Sequence, residues 1–355
     1  MKQLIYVLAL STLVLFNSGC LGDNDGVSGQ TGNQANDGEW LIPQNQVRDG
    51  GPGKDGIPSI DNPRFSAIEA IDFLEDNDLV LVMRVDGEVH VYPHPILDWH
   101  EIINDDFGDK SVAITYCPLT GTAVGWNRVL EGKKTTFGVS GLLYNSNLIP
   151  YDRETDSNWT QMGLVCVNGE LIGTIPETYQ LLETSWASAK KMFPDAMVVT
   201  DDTGFSRNYQ QYPYGTYRTD NRLIFPVDER DETLHPKERV LGIIADANDV
   251  KAYEFQEFKT AGLIQDSFGG QSYVILGSQT DNYLMAYVAS AGQEFMAITD
   301  PSDPTILMED NEGNRWDIFG LAVSGPRQGD RLEGAEAFIG FWFSWAAFYP
   351  SVELY

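Results

Sequence analysis

The residues best suited to chemistry lie close together in the stretch from Tyr92 to Trp126. This stretch contains His94 and His100, two of the four histidines in the 355-residue chain, and Glu101 follows directly. Further along, Cys117 opens a Cys-Pro-Leu-Thr-Gly loop between two runs with the pattern of β-strands. Thiol, imidazole and carboxyl groups act as nucleophiles, bases and acids, and a side chain at a strand end can project into a cleft. The candidate catalytic residues are therefore Cys117, His100 and Glu101.

Cys117 allows three interpretations. With His94 or His100 as a base it would be an activated thiolate nucleophile, and with the ring nitrogens of the same histidines it would bind a transition metal. The third is a buried, unreactive cysteine that packs the loop, since free cysteine is among the most buried residue types. The zinc-protease motif HExxH is excluded, because Asn104 occupies the position of the second histidine. His94 lies between two prolines, which predicts a rigid loop, and His90 is expected to point outward from a strand.

A second group of residues predicts the other wall of a ligand site. Tyr144 and Asn145 offer hydrogen bonds, and the Arg153 guanidinium can hold a carboxylate or phosphate through two hydrogen bonds. The alternative is structural, with Arg153 bracing a β-turn beside Asp152 and the Trp-His-Glu triplet at 99–101 anchoring a helix or loop. The candidate ligand-binding residues are His94, Trp99, Tyr144, Asn145 and Arg153.

Short strands and hairpins must position these side chains. Leu79 to Val85 and Glu88 to Tyr92 read as two strands, and the Asp86-Gly87 pair between them is typical of a two-residue hairpin turn with positive φ. The spacing of Ser66 and Glu69 predicts a capping box that opens a short helix through Leu74. Further strand-like runs are Ser111 to Cys117, Ala123 to Val129 and Thr135 to Val139.

The chain also resembles itself at a nearly constant offset. At 161 residues, the matches are Tyr92 with Tyr253, Ile103 with Ile264, Asp105 with Asp266, Phe107 with Phe268, Gly108 with Gly269, Ser111 with Ser272 and Ile114 with Ile275. At 157 residues, Trp159 falls on Trp316. We therefore predict a β-rich α+β fold made of two tandem copies of one lobe, packed together, at 47–200 and 239–355. A Tyr-, Pro- and Asp-rich connector at 201–238 joins them.

Only the first copy carries the reactive side chains. The pairs at the 161-residue offset are His94 with Phe255, His100 with Ala261, Glu101 with Gly262 and Cys117 with Ser278. Positions that both copies share are expected to serve the fold of the lobe. Positions where only the first copy is chemically equipped are the better site candidates, so the site is placed in the first lobe.

The charge balance excludes one class of partner. Twenty-three basic residues against 52 acidic residues give a formal net charge of −29. A field of this sign repels the phosphates of nucleic acids, so nucleic-acid binding is not expected.

The start of the chain predicts export and lipid attachment. Lys2 precedes a 13-residue apolar run from Leu4 to Phe16, which is too short to span a bilayer but typical of a signal peptide. Asn17-Ser18-Gly19-Cys20 is similar to a bacterial lipoprotein processing site, although Asn17 stands where an aliphatic residue is usual. We predict a signal peptide at 1–20, lipidation of Cys20, and a disordered polar tether at 21–46. Membrane lipid would then hold the protein at the periplasmic face or the cell surface.

Several motifs resemble a known family. They are Asp55-Gly56-Ile57-Pro58, Trp99-His100-Glu101-Ile102, Thr115-Tyr116-Cys117-Pro118-Leu119, Phe137 to Ser146, Tyr151-Asp152-Arg153 and Phe341 to Trp345. On these motifs the chain is identified as a member of the uncharacterised bacterial and archaeal family of unknown function numbered 3179. The resemblance brings no established activity. Similar members commonly read Cys-Pro-Leu-Cys at the cysteine loop, whereas this chain has Thr120 in the place of the second cysteine, which argues against a dithiol or two-thiolate metal role.

The function expected from the sequence is that of a surface-anchored lipoprotein with a small-ligand or metal site centred on Cys117. The metal ligands would be Cys117, His94 and His100. Two alternatives stay open, a non-catalytic cell-surface interaction module and a thiol-dependent acyl-transfer or redox enzyme. Pairing of Cys117 with Cys166 is open as well.

Overall fold

β-Strands dominate the structure, a computed structural model that describes residues 38–355. The expected signal peptide, the expected lipidation site at Cys20 and most of the expected tether lie outside the described residues. The final part of that tether is corrected by the structure: the Leu41 N–H donates to the Val167 carbonyl over 2.9 Å, and Gln44–Gln46 forms a 3-10 turn. The chain therefore joins the folded body before residue 46.

Sixteen strands precede the connector among the described residues. They are β1 (Arg48–Asp49), β2 (Phe65–Ala67), β3 (Leu79–Val85), β4 (Glu88–Pro93), β5 (Ile102–Phe107), β6 (Lys110–Cys117), β7 (Thr122–Asn127), β8 (Val129–Leu130), β9 (Lys133–Lys134), β10 (Phe137–Tyr144), β11 (Asn147–Asp152), β12 (Asn158–Thr160), β13 (Val165–Asn168), β14 (Thr178–Tyr179), β15 (Leu182–Ser185) and β16 (Met197–Val199). The helices are α1 (His94–His100) and α2 (Trp186–Met192). The larger sheets have the orders β15-β3-β4-β16-β2, β14-β7-β6-β5 and β1-β10-β11-β12-β13, and β8 pairs with β9.

The second half continues with twelve strands and one helix. The strands are β17 (Arg239–Ile244), β18 (Val250–Glu254), β19 (Gly262–Phe268), β20 (Gln271–Ser278), β21 (Tyr283–Ala289), β22 (Phe295–Ala297), β23 (Ile306–Asp310), β24 (Arg315–Asp317), β25 (Ala322–Ser324), β26 (Glu333–Gly334), β27 (Ala337–Phe341) and β28 (Glu353–Leu354). The helix is α3 (Trp342–Phe348), and Phe255–Phe258 forms a 3-10 turn. The sheets have the orders β27-β17-β18-β28, β26-β21-β20-β19 and β22-β23-β24-β25.

The strand orders of the second half repeat those of the first, in which β1 and β2 are additional edge strands. Each half has a sheet in which the strand latest in the chain runs parallel to its neighbour, β16 beside β4 and β28 beside β18. In each half a seven-residue helix precedes that strand. One hydrophobic cluster contains Val82 and Leu182 of the first half and Val274 and Trp316 of the second. The halves therefore share part of their core.

Matching hydrogen bonds support the two halves from within. The Tyr92 hydroxyl donates to Asp105 over 2.7 Å, and the Tyr253 hydroxyl donates to Asp266 over 2.8 Å. In the same way, the indole N–H of Trp159 donates to Asp152 over 3.1 Å, and that of Trp316 donates to Asp310 over 3.0 Å. A buried hydroxyl or indole N–H needs such an acceptor, which explains why these pairs recur.

Local expectations fare differently. The hairpin at Asp86-Gly87 is confirmed, with φ of 50° and 90° at these residues. The helix expected from Ser66 is wrong: Phe65–Ala67 is strand β2, and only a 3-10 turn, Ile68–Ala70, follows without a side-chain cap. Pairing of β2 with β16 outweighs the local helix signal. Within residues 38–355 no helix combines the length and apolar character needed to cross a membrane.

Candidate functional site

Helix α1 presents Glu101 in an unusual backbone conformation. The helix begins at His94, so the expectation of a loop there is wrong; Pro95 is compatible with the first helical turn because its missing N–H is not needed there. Glu101 ends the helix with a φ of 58°, and its N–H donates to the Leu97 carbonyl over 2.8 Å. This left-handed position usually holds glycine, and another residue costs about 1–2 kcal/mol there.

The Cys117 loop is a tight turn at the end of β6. The Gly121 N–H donates to the Cys117 carbonyl over 2.8 Å, and Gly121 has a φ of 62° with the Phe341 ring against it. The thiol is buried and donates to the Ser146 carbonyl over 3.7 Å. Asn145 and Ser146, at the tip of the β10–β11 hairpin, are also left-handed with φ of 47° and 65°. Three buried left-handed residues, Glu101, Asn145 and Ser146, thus lie around one thiol.

Buried hydroxyl and amide groups fix the loop from below. The Asn147 side-chain amide donates to the hydroxyls of Thr120 and Thr122 over 2.9 Å and 3.1 Å and to the side-chain Oε1 of Gln161 over 2.8 Å. Gln161 in turn donates to the Thr115 hydroxyl over 3.0 Å. Each group has a partner, so the network can hold the loop in one conformation.

The ionisable groups at this point are strongly perturbed. Burial raises the pKa of Glu101 to about 8, against a weak opposing hydrogen bond from Tyr214 at 3.5 Å. Burial, and then the nearby Glu101 carboxyl, raise the pKa of Cys117 to about 11. Burial raises the pKa of Asp98 to about 6, although Arg218 works against it. At neutral pH the Glu101 carboxyl is therefore mainly protonated and the thiol is neutral.

Tyrosines and an arginine of the connector cover the thiol and the carboxyl. The residues from 200 to 238 form no helix or strand, and within them the hydroxyl of Tyr217 donates to the Leu119 carbonyl over 3.0 Å. Arg218 donates to Asp98 over 2.5 Å and to the Tyr116 hydroxyl over 3.2 Å. On the far side, the Ser146 hydroxyl donates to the Phe225 carbonyl over 2.8 Å. Long irregular segments in compact domains are often lids or binding loops.

His94 lies beside a buried ion pair that extends into the second half. Its Nε2 lies 3.2 Å from Glu183 without hydrogen-bond geometry, and its ring packs on Tyr116 at 4.4 Å between centroids. Glu183 also pairs with Arg239 of β17. Burial opposes ionisation of Glu183, but Arg239 and His94 together lower its pKa to about 2.

His100 faces away from Cys117. Its Nδ1 donates to the Pro58 carbonyl over 2.7 Å, so its Nε2 is the acceptor for the Tyr209 hydroxyl, also at 2.7 Å. Burial lowers the pKa of His100, which agrees with a neutral ring. Within residues 38–355, neither His94 nor His100 is hydrogen-bonded to the Cys117 thiol.

The other sequence candidates divide into two groups. Asn145 lies at the site, where its amide donates to the Ala347 carbonyl of α3 over 3.0 Å, and Tyr144 packs on Phe348 with 5.5 Å between ring centroids. Trp99 lies beside the connector and donates to the Gln211 carbonyl over 3.1 Å. Arg153 lies roughly 20 Å from the tip of the β10–β11 hairpin, at the other end of β11, because a strand extends about 3.3 Å per residue.

Arg153 braces the segment that precedes β2. Its guanidinium donates to Asp55 over 2.8 Å, to Asp61 over 3.2 Å and to the Ser59 hydroxyl over 3.0 Å. The tyrosine two residues earlier, Tyr151, also donates to Asp55. These contacts are structural, but they hold residues 55–61 in place and do not brace a β-turn beside Asp152 as the structural alternative proposed.

His90 corrects another expectation. It is buried instead of pointing outward, with Nδ1 2.7 Å from Asp105 and Nε2 3.0 Å from Glu88. Burial opposes protonation, but the two carboxylates raise the pKa of His90. Stacking between Phe65 and Phe107 encloses the ring, which period-two alternation alone does not reveal.

Two further observations bear on the chemistry. Cys117 and Cys166 are both free and buried, so they do not pair. In the part of the chain that the structure describes, no group of three or more His, Cys, Asp or Glu side chains is arranged to hold a metal ion.

Sequence reasoning missed Asp98, Tyr116, Ser146, Tyr212, Tyr214, Tyr217 and Arg218 at the site. One signal was present: the connector has four tyrosines within nine residues, at 209, 212, 214 and 217. So many tyrosines in a segment without strand or helix pattern indicate that the segment packs against the rest of the protein.

The fold and the site together define a β-rich protein with a closed, strained carboxyl–thiol cluster in its first half. The chain belongs to a family whose model, described as "Protein of unknown function (DUF3179)", matches residues 54–352. No curated protein and no solved structure matches the chain.

Proposed function

We propose that the first lobe holds a small-ligand site centred on the Glu101 carboxyl and the Cys117 thiol, closed by the connector. The observation that carries the proposal is Glu101 itself, which is buried, left-handed and protonated at neutral pH. Each of these properties destabilises the fold, and glycine would remove all three. Strained backbone and shifted pKa values concentrate at functional sites, because function maintains them against stability.

The site chemistry favours a neutral or cationic ligand. A protonated Glu101 can donate a hydrogen bond to a neutral ligand, or it can lose its proton and pair with a cation. An anion meets the carboxyls of Asp98 and Glu101 and a chain of net charge −29. A transition metal would use Cys117 and Glu101 better than the trio of Cys117, His94 and His100, because both ring nitrogens of His100 already have partners.

A thiol-dependent enzyme has less support. A pKa of about 11 leaves the Cys117 thiol neutral at physiological pH, and an activated thiolate needs an adjacent base or cation. Glu101 raises that pKa further instead of lowering it. Acid–base exchange at Glu101 is therefore the chemistry that the site supports, with the thiol as a soft neighbouring contact.

The setting that we propose is an exported lipoprotein held by acyl chains at Cys20. The support is the sequence of residues 1–20, with its short apolar run and terminal cysteine. A tether of about twenty residues would let the folded body face the extracytoplasmic space. The site would then meet ligands from outside the cytoplasm.

We also infer that the two lobes arose by internal duplication. The support is the repeated strand order, the matched Tyr–Asp and Trp–Asp bonds, and a further matched pair of contacts. The Phe137 N–H donates to the Asn104 side chain over 2.8 Å, and the Phe295 N–H donates to the Gln265 side chain over 2.5 Å. At the offset of 161 residues Gln265 corresponds to Asn104, so the second lobe keeps the contacts of the fold while lacking those of the site.

Alkylation of the two buried cysteines tests the site. Iodoacetamide labelling of the full chain, followed by peptide mass spectrometry, reports Cys117 and Cys166 separately. Cys166 is the internal control, because it is equally buried and burial raises its pKa to about 12, while its thiol donates to the Asn168 carbonyl, outside the connector, over 3.5 Å. We expect Tyr214→Phe, which removes a connector contact, to accelerate labelling of Cys117 at least fivefold and to leave Cys166 unchanged.

Ligand protection completes this test. A panel of small amines, neutral amides and thiophilic metal ions, with carboxylates as the negative class, is added before labelling. A member that slows labelling of Cys117 and not of Cys166, and loses this effect in Glu101→Gln, supports the proposal. Equal labelling of both cysteines in all variants and no protection by any compound would overturn it.

A further inference from the structure

The outer edge of strand β19 has backbone groups that face away from its own sheet. Phe268 and Gln271 flank the two-residue turn at Gly269-Gly270 and form the first pair of the β19–β20 ladder. Hydrogen-bonded pairs alternate along an antiparallel ladder, so Ile264 pairs with β20 while the backbone groups of Leu263 and Gln265 point outward. Within residues 38–355 no backbone group bonds to the Leu263 carbonyl or the Gln265 N–H.

The first lobe shows what this edge can hold. There the extended residue Ile60 lies parallel to β5, opposite Ile103. The Ile60 N–H donates to the Ile102 carbonyl over 2.9 Å, and the Asn104 N–H donates to the Ile60 carbonyl over 2.8 Å. At the 161-residue offset, Ile102 and Asn104 correspond to Leu263 and Gln265. The same two acceptor and donor groups are used in the first lobe and open in the second.

Among residues 38–355, no segment pairs with the outer edge of β19 as Ile60 pairs with β5. The residue that corresponds to Ile60 at the same offset is Asn221, which lies in the connector. The connector turns instead toward the first lobe, where Arg218 and Tyr217 bond to Asp98 and the Cys117 loop. Accordingly, β5 is almost fully buried, whereas β19 is half-buried or exposed along its length.

A surface cleft adjoins the open edge. It has a volume of about 620 Å³ and is lined by residues 256–260 and 262–264. Leu263 and Ile264 contribute half-buried apolar side chains, which an added strand can cover. Long open edges are normally protected, because they pair with other chains. The edge that is protected in the first lobe is therefore open to an added strand in the second.

We propose that β19 binds an extended segment of a partner protein, which adds to the sheet as a parallel strand. The segment places an apolar residue opposite Ile264 and carries neutral or basic flanks. The flanks follow from the net charge of −29 of the whole chain, because the cleft itself is lined by one acidic and one basic residue, Glu257 and Lys259. The same charge disfavours a second copy of this chain and the Asp-containing residues 21–37 as occupants. Strand addition of this kind draws affinity from backbone hydrogen bonds and specificity from alternate side chains.

The inference rests on the correspondence of the two lobes and not on the Glu101–Cys117 site, so each can fail without the other. The chain itself supplies the probe, a fluorescein-labelled peptide of residues 56–65, Gly-Ile-Pro-Ser-Ile-Asp-Asn-Pro-Arg-Phe. This segment fills the matching edge in the first lobe. Binding to the full chain is followed by fluorescence anisotropy. We expect saturable binding of this peptide. Binding should be at least tenfold weaker when the backbone nitrogen of the peptide residue that corresponds to Ile60 is methylated. It should be stronger when Lys replaces the peptide residue that corresponds to Asp61.

Two protein variants locate the binding. Leu263→Pro removes an outward N–H and places its ring on the edge without breaking the β19–β20 ladder, so we expect at least tenfold weaker binding with unchanged circular dichroism. Leu263→Lys should weaken binding as well, whereas Ile175→Lys, at a residue that is 75% exposed elsewhere, should not. Absence of binding, or equal binding to Leu263→Pro, overturns the proposal. Tighter binding after deletion of residues 21–37, or a wild-type dimer that Leu263→Pro dissociates, overturns it in favour of those occupants.

Discussion

Replacement of Glu101 by glutamine tests whether the buried carboxyl is protonated in the folded protein. Glutamine has nearly the same shape and keeps an oxygen that can accept the Tyr214 hydroxyl, but it cannot ionise. The pKa of Glu101 is about 8 in the folded chain against an ordinary value of 4.5. The stability that this carboxyl contributes is therefore fully present below about pH 4.5 and is lost as pH rises through 8.

The magnitude follows from these two values. At pH 7, which is 2.5 pH units above the ordinary pKa, Glu101 is ionised in the unfolded chain and must take up a proton on folding. At about 1.36 kcal/mol per unit this costs roughly 3 kcal/mol. Above pH 8 the full difference of 3.5 units applies, or roughly 5 kcal/mol. We therefore expect Glu101→Gln to raise the free energy of unfolding by about 3 kcal/mol at pH 7 and about 5 kcal/mol at pH 9, with no gain at pH 4.

Urea unfolding followed by tryptophan fluorescence at pH 4, 7 and 9 measures this difference. Glu183→Gln is the matched control, because the pKa of Glu183 is lowered to about 2, so its stabilisation is present above pH 4.5 and is lost as pH falls through 2. We expect that variant to lose about 3 kcal/mol at pH 7, the opposite sign. A Glu101→Gln variant that is less stable than wild type, or whose difference does not grow from pH 4 to pH 9, would show that Glu101 is ionised in the fold.

Three further predictions concern the supports of the site and of the lobes. Gln161→Ala removes hydrogen bonds to three buried side chains and should lower the free energy of unfolding by about 3 kcal/mol in urea titrations. A loss below about 1 kcal/mol would contradict a rigid network. Arg218→Gln leaves Asp98 buried without its cation and should cost about 3 kcal/mol, whereas the Asp98→Asn/Arg218→Gln double variant should recover at least half; additive losses would show that the two groups do not interact. Tyr92→Phe and Tyr253→Phe should each lower the free energy of unfolding by about 1–2 kcal/mol, and the first should lose more because Asp105 is more buried than Asp266. A larger loss for Tyr253→Phe in thermal unfolding would refute the matched roles.

The sequence predicted the parts of the fold that depend on local pattern. Period-two alternation and the Asp86-Gly87 turn indicate a hairpin wherever they occur, because strand geometry and positive φ leave few alternatives. The β-rich α+β class follows from many such runs. Helix α1 was missed, because a proline on each side of His94 resembles a loop, although proline at the start of a helix is favourable.

Burial and long-range contacts limited the prediction of the site. Cys117 and Glu101 were placed in one site on residue type, and β6 and α1 bring them together. His100 is the last residue of the same helix and its ring bonds to Tyr209, whereas Glu101 leaves the helix with a φ of 58°, so the two side chains point in different directions. Arg153 was assigned to the same wall as Asn145 because both are near in sequence, yet an extended strand separates them. The role of the connector depends on contacts across about a hundred residues, which no local pattern encodes.

The connector links the two proposals through a single difference between the lobes. In the first lobe, the segment before β3 passes beside β5, where Ile60 bonds to the outer edge of that strand. In the second lobe, the segment before β17 crosses to the first lobe and covers Cys117 and Glu101. One stretch of backbone cannot do both, so closure of the chemical site leaves the β19 edge open. On this reasoning the connector closes the proposed ligand site of the first lobe, and the proposed partner edge of β19 stays open because the connector is used there.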